Sequence, residues 1–149
     1  MSITLLQLKT QARNRSDMNN SQFVSDAELT NYINNSIAEL HDLLVSSYGD
    51  DYNITTYSFT TSGDQNTYAL PTDTYKIRGV DCNISGNEYI SLRPFNFNER
   101  NAKDDATWSF LTAPTLRYRL LGDNIVFSPK PSGAYVIRLW YTPVATKLS

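Results

Sequence analysis

Apolar residues recur at helical spacing through the first third of the chain and at alternate positions beyond Gly49. Leu29, Tyr32, Ile33, Ile37, Leu40, Leu43 and Leu44 follow the i, i+3, i+4, i+7 pattern of one helix face. Ser25-Asp26-Ala27-Glu28 precedes them as a capping box, in which the Ser25 hydroxyl accepts from the Glu28 amide and the Glu28 carboxylate reaches back to the Ser25 amide. A helix is therefore predicted over residues 26–48, stopped at Gly49 and about 34 Å long at 1.5 Å per residue. That is longer than a compact domain of this size needs, so part of it is expected to pack against something else. A shorter helix is predicted over residues 3–13, with Ser2 as its cap and Ile3, Leu5, Leu6 and Leu8 on a less regular stripe. The polar stretch 14–21 joins the two, and Phe23-Val24 is placed to staple the start of the second helix.

The remainder reads as strands. Tyr57 and Phe59 alternate with Thr and Ser, Ser62-Gly63-Asp64 supplies a turn, and Tyr68-Ala69-Leu70-Pro71 resumes, which predicts a hairpin. Tyr75 to Val80 and Tyr89 to Leu92 flank Ser85-Gly86-Asn87, a second hairpin. Arg117 to Leu121 and Ile125 to Phe127 enclose Gly122-Asp123-Asn124, and a last strand runs from Tyr135 to Tyr141 after a Pro and Gly break. Residues 96–103 are polar enough for a short helix or ordered loop crossing between the halves of the sheet. The predicted fold class is α+β, one domain over 1–149: an N-terminal helical hairpin (1–48) packed against an antiparallel β-sandwich or barrel-like segment (53–143), with a C-terminal tail (144–149). No internal repeat of fixed period is visible.

Composition narrows function mostly by exclusion. With 149 residues the chain is long enough to bury a core without disulfides. One cysteine and one histidine rule out a disulfide framework and the usual Cys/His zinc sites. The polarity resides in neutral side chains, 14 Asn, 15 Ser and 15 Thr, rather than in charge, and the net charge is -2. That balance argues against a protein held on the phosphate backbone of nucleic acid. No secretory leader is read at the N-terminus and no apolar run approaches a membrane span, so the protein is expected to be unsecreted, with no membrane partner.

Chemistry finds few candidates. His41 lies in the long helix beside Glu39 and Asp42 and reads as a solvated or interface residue. Cys82 has no basic neighbour to lower its pKa and reads as packing. Asp50-Asp51 and Asp104-Asp105 do not fit a calcium loop and read as turn residues. No phosphate-binding loop, dinucleotide fingerprint or nucleophile elbow occurs. The expectation is no catalytic residue, no cofactor and no metal. Arg117 and Arg119, two apart on a strand, share a face, while Tyr118 points to the core. Pairing with acidic neighbours is one reading for them and a subunit contact is the other. In the segment Phe95 to Asn101, two aromatics sit beside Glu99 and Arg100, which fits an interface anchor with a polar rim; a buried crossover fits equally.

Four stretches, in this order, resemble one known family: Glu28 to Asn34 continuing through Glu39 to Leu44 and on to Tyr48-Gly49-Asp50-Asp51-Tyr52; Tyr68 to Pro71 with Tyr75 to Asp81; Leu92 to Asn101; and Arg117-Tyr118-Arg119 through Ile125 to Pro129 and on to Leu139-Trp140-Tyr141-Thr142-Pro143. Together they resemble a head-to-tail adaptor (connector) protein of tailed bacteriophages, of the kind beneath the portal in short-tailed phages. The resemblance implies no catalysis. It implies a ring, usually twelvefold, in the virion neck, made in the host cytoplasm, docked on the portal protein, carrying the downstream tail or nozzle protein, and passing genomic DNA without sequence-specific binding. Such a ring uses a heterologous interface between identical copies. Interface residues are expected at Phe95, Phe97, Glu99, Arg100, Arg117 and Arg119, and on an inter-subunit helix at Tyr32, Asn35, Glu39 and Asp42. The first fifty residues hold three basic and six acidic side chains, so part of that segment is expected to line the lumen, where it would not grip DNA. The chain departs from some adaptors in its short C-terminal tail: six extended residues reach only about 20 Å. The competing reading is a carbohydrate-binding β-sandwich of a phage tail or surface protein, with tyrosines and Trp108 as stacking platforms. A small hydrolase using Asp50, Asp51 or His41 stands third.

Overall fold

A computed structural model describes residues 3–18, 23–49, 52–99 and 116–149. The chain divides into two compact units, Met1–Tyr52 with Val144–Ser149, and Asn53–Pro143.

Among the described residues the first unit holds two helices, α1 (Leu5–Arg15) and α2 (Asp26–Tyr48). The α2 capping box forms as its sequence predicts, with Glu28 N donating to Ser25 Oγ at 3.2 Å and Ser25 N donating to Glu28 Oε2 at 2.9 Å. Gly49 ends the helix at φ 61°, a left-handed value that glycine adopts without strain. The start of α1 corrects the expectation: its cap is Thr4, because Gln7 lies three residues on and completes a second capping box. At the start of α2, Val24 is half-buried, whereas Phe23 is 89% exposed and does not serve as the expected staple. The two helices are joined by Arg13, whose Nη2 donates to the Val24 carbonyl (3.0 Å) and the Asp26 carboxylate (2.8 Å).

His41 is 7% exposed, which corrects its reading as a solvated residue. It stands one turn from both Ile37 and Val45, on the apolar side of α2, with Tyr52 edge-on at 6.0 Å. The tail returns to the same helix. Asn34 Nδ2 donates to the Leu148 carbonyl (3.0 Å) and Asn34 Oδ1 accepts from the Leu148 amide (2.9 Å), so one side-chain amide satisfies both backbone groups of Leu148.

Among the described residues the second unit has eight strands in two sheets: β1 (Thr55–Thr60), β2 (Thr67–Ala69), β3 (Thr74–Ser85), β4 (Glu88–Ser91), β5 (Arg93–Pro94), β6 (Arg117–Leu121), β7 (Asn124–Ser128) and β8 (Val136–Pro143). One sheet has the order β1-β8-β3-β4 and the other β2-β7-β6-β5. The α+β class with a helical N-terminus therefore stands, and among the described residues all pairings are antiparallel except β5 with β6. The β3–β4 and β6–β7 hairpins turn at Gly86 (φ 52°) and Gly122 (φ 58°), as their sequences predict. The expected β1–β2 hairpin does not form: β1 pairs with β8 in one sheet and β2 with β7 in the other.

The crossover between β1 and β2 is fixed by side chains. Tyr68 Oη accepts from the Ser62 amide at 2.8 Å and lies 3.1 Å from the Ser62 and Gln65 carbonyls. Buried Thr61 donates its hydroxyl to the Gly133 carbonyl (2.8 Å) and accepts from the Tyr135 amide (2.9 Å). Between the sheets, Val80, Cys82, Ile125, Phe127, Ile137 and Leu139 are buried, with Phe59, Tyr68 and Phe127 in mutual ring contact. Burial pushes the Cys82 thiol up from its ordinary pKa, consistent with its reading as packing.

Two outcomes are expected for the helical unit. Backbone and hydroxyl hydrogen bonds from Ser25 hold Glu28 below its usual pKa of 4.5, and the Arg13 hydrogen bond holds Asp26 below 3.8. Both carboxylates stabilise the fold above their unfolded values, and that contribution is lost as the pH falls through the lowered ones. Glu28→Gln keeps a capping-box partner without the charge, so its circular dichroism at neutral pH should match the parent while its acid titration is shallower. Asn34→Ala removes both bonds to Leu148; the amides of the last residues should exchange with solvent faster than in the parent, with core-strand amides unchanged.

Candidate interaction surface

Most of the side chains singled out in the second unit converge on the outer face of the β2-β7-β6-β5 sheet. β6 places Tyr118 inward, where burial raises its phenol pKa, and Arg117 and Arg119 outward. β5 is the sheet edge, a place that tolerates Pro94 because an edge strand can leave one side of its ladder unpaired. Its parallel register sets Arg93 beside Arg117 and Pro94 beside Tyr118, and the Phe95 amide continues the ladder to the Tyr118 carbonyl at 2.9 Å.

A 3-10 turn, Phe97–Glu99, then folds back over this face. Glu99 Oε2 accepts from the Asn96 amide (2.9 Å), which closes the turn, and stands 3.5 Å from Arg117 Nη1. The Phe97 ring lies under the Arg119 guanidinium, with Cζ 4.9 Å from the centroid, within cation–π range. Phe97 is nevertheless 53% exposed. Phe95 is 6% exposed, so the two aromatics divide: Phe95 is core and Phe97 is surface. Arg100 lies outside the described residues, as do Asp50, Asp51, Asp104, Asp105 and Trp108.

The face is unbalanced in charge. Among the described residues Glu99 is the one carboxylate in an ion pair there, and neither Arg93 nor Arg119 has such a partner. Arg93 was not singled out from the sequence. The readable signal was the Arg-Pro pair, an edge-strand combination; the parallel register beside Arg117 is a non-local fact.

In the helical unit, Tyr32, Asn35, Glu39 and Asp42 are all exposed; Tyr32 and Glu39 lie on the side of α2 opposite His41 and Val45, and Asp42 flanks His41, with its carboxylate 3.9 Å from the imidazole. Tyr32 is 60% and Leu43 65% exposed, so this side of α2 carries apolar as well as acidic groups.

On the other sheet, two aromatic residues, Trp140 and Tyr89, are engaged by neighbouring side chains. The Trp140 indole lies over Gly79 and donates to Asp81 Oδ2 at 2.6 Å, and Arg138 covers the Tyr89 ring at 3.7 Å. Ser91 Oγ donates to the other Asp81 oxygen at 2.8 Å. Among the described residues no group of His, Cys, Asp and Glu side chains is placed to hold a metal ion.

Because Phe95 is core and Phe97 surface, Phe95→Ala should lower unfolding stability by about 3–5 kcal/mol and Phe97→Ala by much less, read from urea denaturation.

Among the described residues no helix is long and apolar enough to cross a membrane. No curated protein matches the chain. The family model of the SU10 adaptor protein matches residues 3–149, nearly the whole chain, through both helices, all eight strands and the tail, and the chain belongs to that bacteriophage adaptor family.

Proposed function

We propose that this chain is the repeating subunit of a closed ring, twelvefold as in short-tailed phages, that sits on the portal, holds the next tail protein and lets the genome pass through its centre. Family membership makes it a structural head–tail adaptor of the virion neck, which meets portal and tail proteins; the ring, its number and its open centre are the further reading. The observation that carries the ring is α2: 23 residues whose outer side keeps Tyr32, Leu40 and Leu43 more than half exposed. A helix that leaves large apolar groups in solvent gains by burying them against a neighbour, and a contact between unlike surfaces of identical subunits repeats until it closes.

Charge supports the open centre. The first fifty residues hold three basic and six acidic side chains, and a lumen lined by part of that segment makes few of the phosphate contacts that would retard DNA. The protein serves as structure, with no catalytic step in this role.

The test is native mass spectrometry and electron microscopy of the chain mixed with its portal protein. A closed collar of a fixed copy number with an open centre is expected on each portal. Portals that stay bare, or that carry scattered single copies, would overturn the reading, as would a collar with the helical segment wholly on its outer rim for the lumen assignment. A monomer in free solution is compatible with it, because the portal supplies the template on which neighbours meet.

A further inference from the structure

We infer that the two surfaces described above are the two halves of one contact: the Arg93–Arg117–Arg119 face of one copy receives the Tyr32–Asn35–Glu39–Asp42 side of α2 from the next copy. This rests on the ring reading and adds which surfaces meet.

Three observations support the pairing. The first is charge. Arg93 and Arg117 are direct register neighbours on adjacent strands, an arrangement that repels, and Glu99 at 3.5 Å from Arg117 is the one carboxylate paired there among the described residues. On the helix, Glu39 has no ion pair among the described residues, and Asp42 has only His41 at 3.9 Å. The sheet face, with three arginines to one glutamate, is net basic, and Glu39 and Asp42 make the helix side acidic.

The second is spacing. Glu39 and Asp42 are three apart on a helix, so their Cβ atoms are about 5–6 Å apart. Arg117 and Arg119 are two apart on one side of a strand, about 7 Å, and Arg93 sits one strand over, about 5 Å from Arg117. Two carboxylates on a helix can therefore address two guanidiniums of that face at once, and arginine suits such paired carboxylate contacts.

The third is the apolar content. Phe97, 53% exposed beside Arg119, and Tyr32 and Leu43, 60% and 65% exposed beside Glu39, give both faces large groups to bury amid the charges. Aromatic residues and arginine are the groups that dominate protein interfaces. A nucleic acid would instead favour a longer basic stripe without an acidic member, and here Glu99 lies within the face.

The contact is tested by charge exchange, read as copies of the chain per portal by native mass spectrometry. One variant reverses the basic face (Arg93→Glu with Arg117→Glu) and the other reverses the helix (Glu39→Arg with Asp42→Arg). Each alone sets like charges against each other, and loading should fall about tenfold or more at a fixed concentration. Mixed in equal amounts, the two variants present opposite charges at every contact of a ring in which they alternate, and loading should return. Variants whose circular dichroism differs from the parent are replaced by Arg93→Gln with Arg117→Gln and Glu39→Gln with Asp42→Asn, which should each lower loading and should not recover on mixing.

Parental loading by both reversal variants would overturn this contact and leave the ring reading intact. Failure of the mixture while the helix variant alone loads would assign the basic face to the portal, and loss of duplex DNA binding by the basic-face variant with loading unchanged would assign it to nucleic acid; both overturn the contact. A parent chain that never loads overturns the ring reading itself.

Discussion

The β unit depends on a chain crossing. After β1 the polypeptide leaves one sheet and enters the other within six residues, and the phenol of Tyr68 makes that possible by holding Ser62 and Gln65 from the far end of the crossing. Its ring at the same time packs on Phe59 of one sheet and Phe127 of the other. One side chain thus serves the turn by its polar end and the core by its apolar body. Without it, the crossing would lose its hydrogen bonds to Ser62 and Gln65, and of the ring contacts between the two sheets only Phe59 with Phe127 would remain among the described residues. The hairpin of β6 and β7, the edge strand β5 and the arginine face all lie on the sheet that this crossing reaches.

That arrangement explains a division of labour between the sheets. On the β1-β8-β3-β4 sheet the polar side chains pair with one another: Asp81 accepts from Trp140 and Ser91, and Arg138 covers Tyr89. The β2-β7-β6-β5 sheet leaves two arginines without ion-pair partners among the described residues and an aromatic ring half in water. The physical difference is the edge strand. The two-residue β5 runs on into a 3-10 turn that brings β6 one carboxylate and one ring, Glu99 and Phe97.

Local signals were legible in the sequence and non-local ones were not. Both helices, the β3–β4 and β6–β7 hairpins and the outward arginines follow from capping residues, positive-φ glycines and alternation, all of which act within a few residues. The α1 cap was equally legible at Thr4, where Gln7 stands at the required distance. The burial of His41 was legible in its place between Ile37 and Val45, one turn from each on the apolar side, and not in its residue type, which is more often exposed. The β1–β2 relation was not legible, because Ser62-Gly63-Asp64 is a good turn whether the next strand returns to the same sheet or leaves it. That choice is set by Tyr68 and by β8, about eighty residues downstream of β1. The partners of Arg117 and Arg119 likewise come from a segment some twenty residues earlier, and only the fold shows which side of the sheet that segment covers.

The Asn34 contact with the tail has a consequence for sequence freedom. Among the described residues the carboxamide's hydrogen bonds go to the carbonyl and amide of Leu148, groups that every residue except proline also offers. The clasp is therefore blind to tail side chains: the chemistry of the last residues can drift to suit whatever lies beyond them, while the path of the chain stays fixed by one asparagine on a helix.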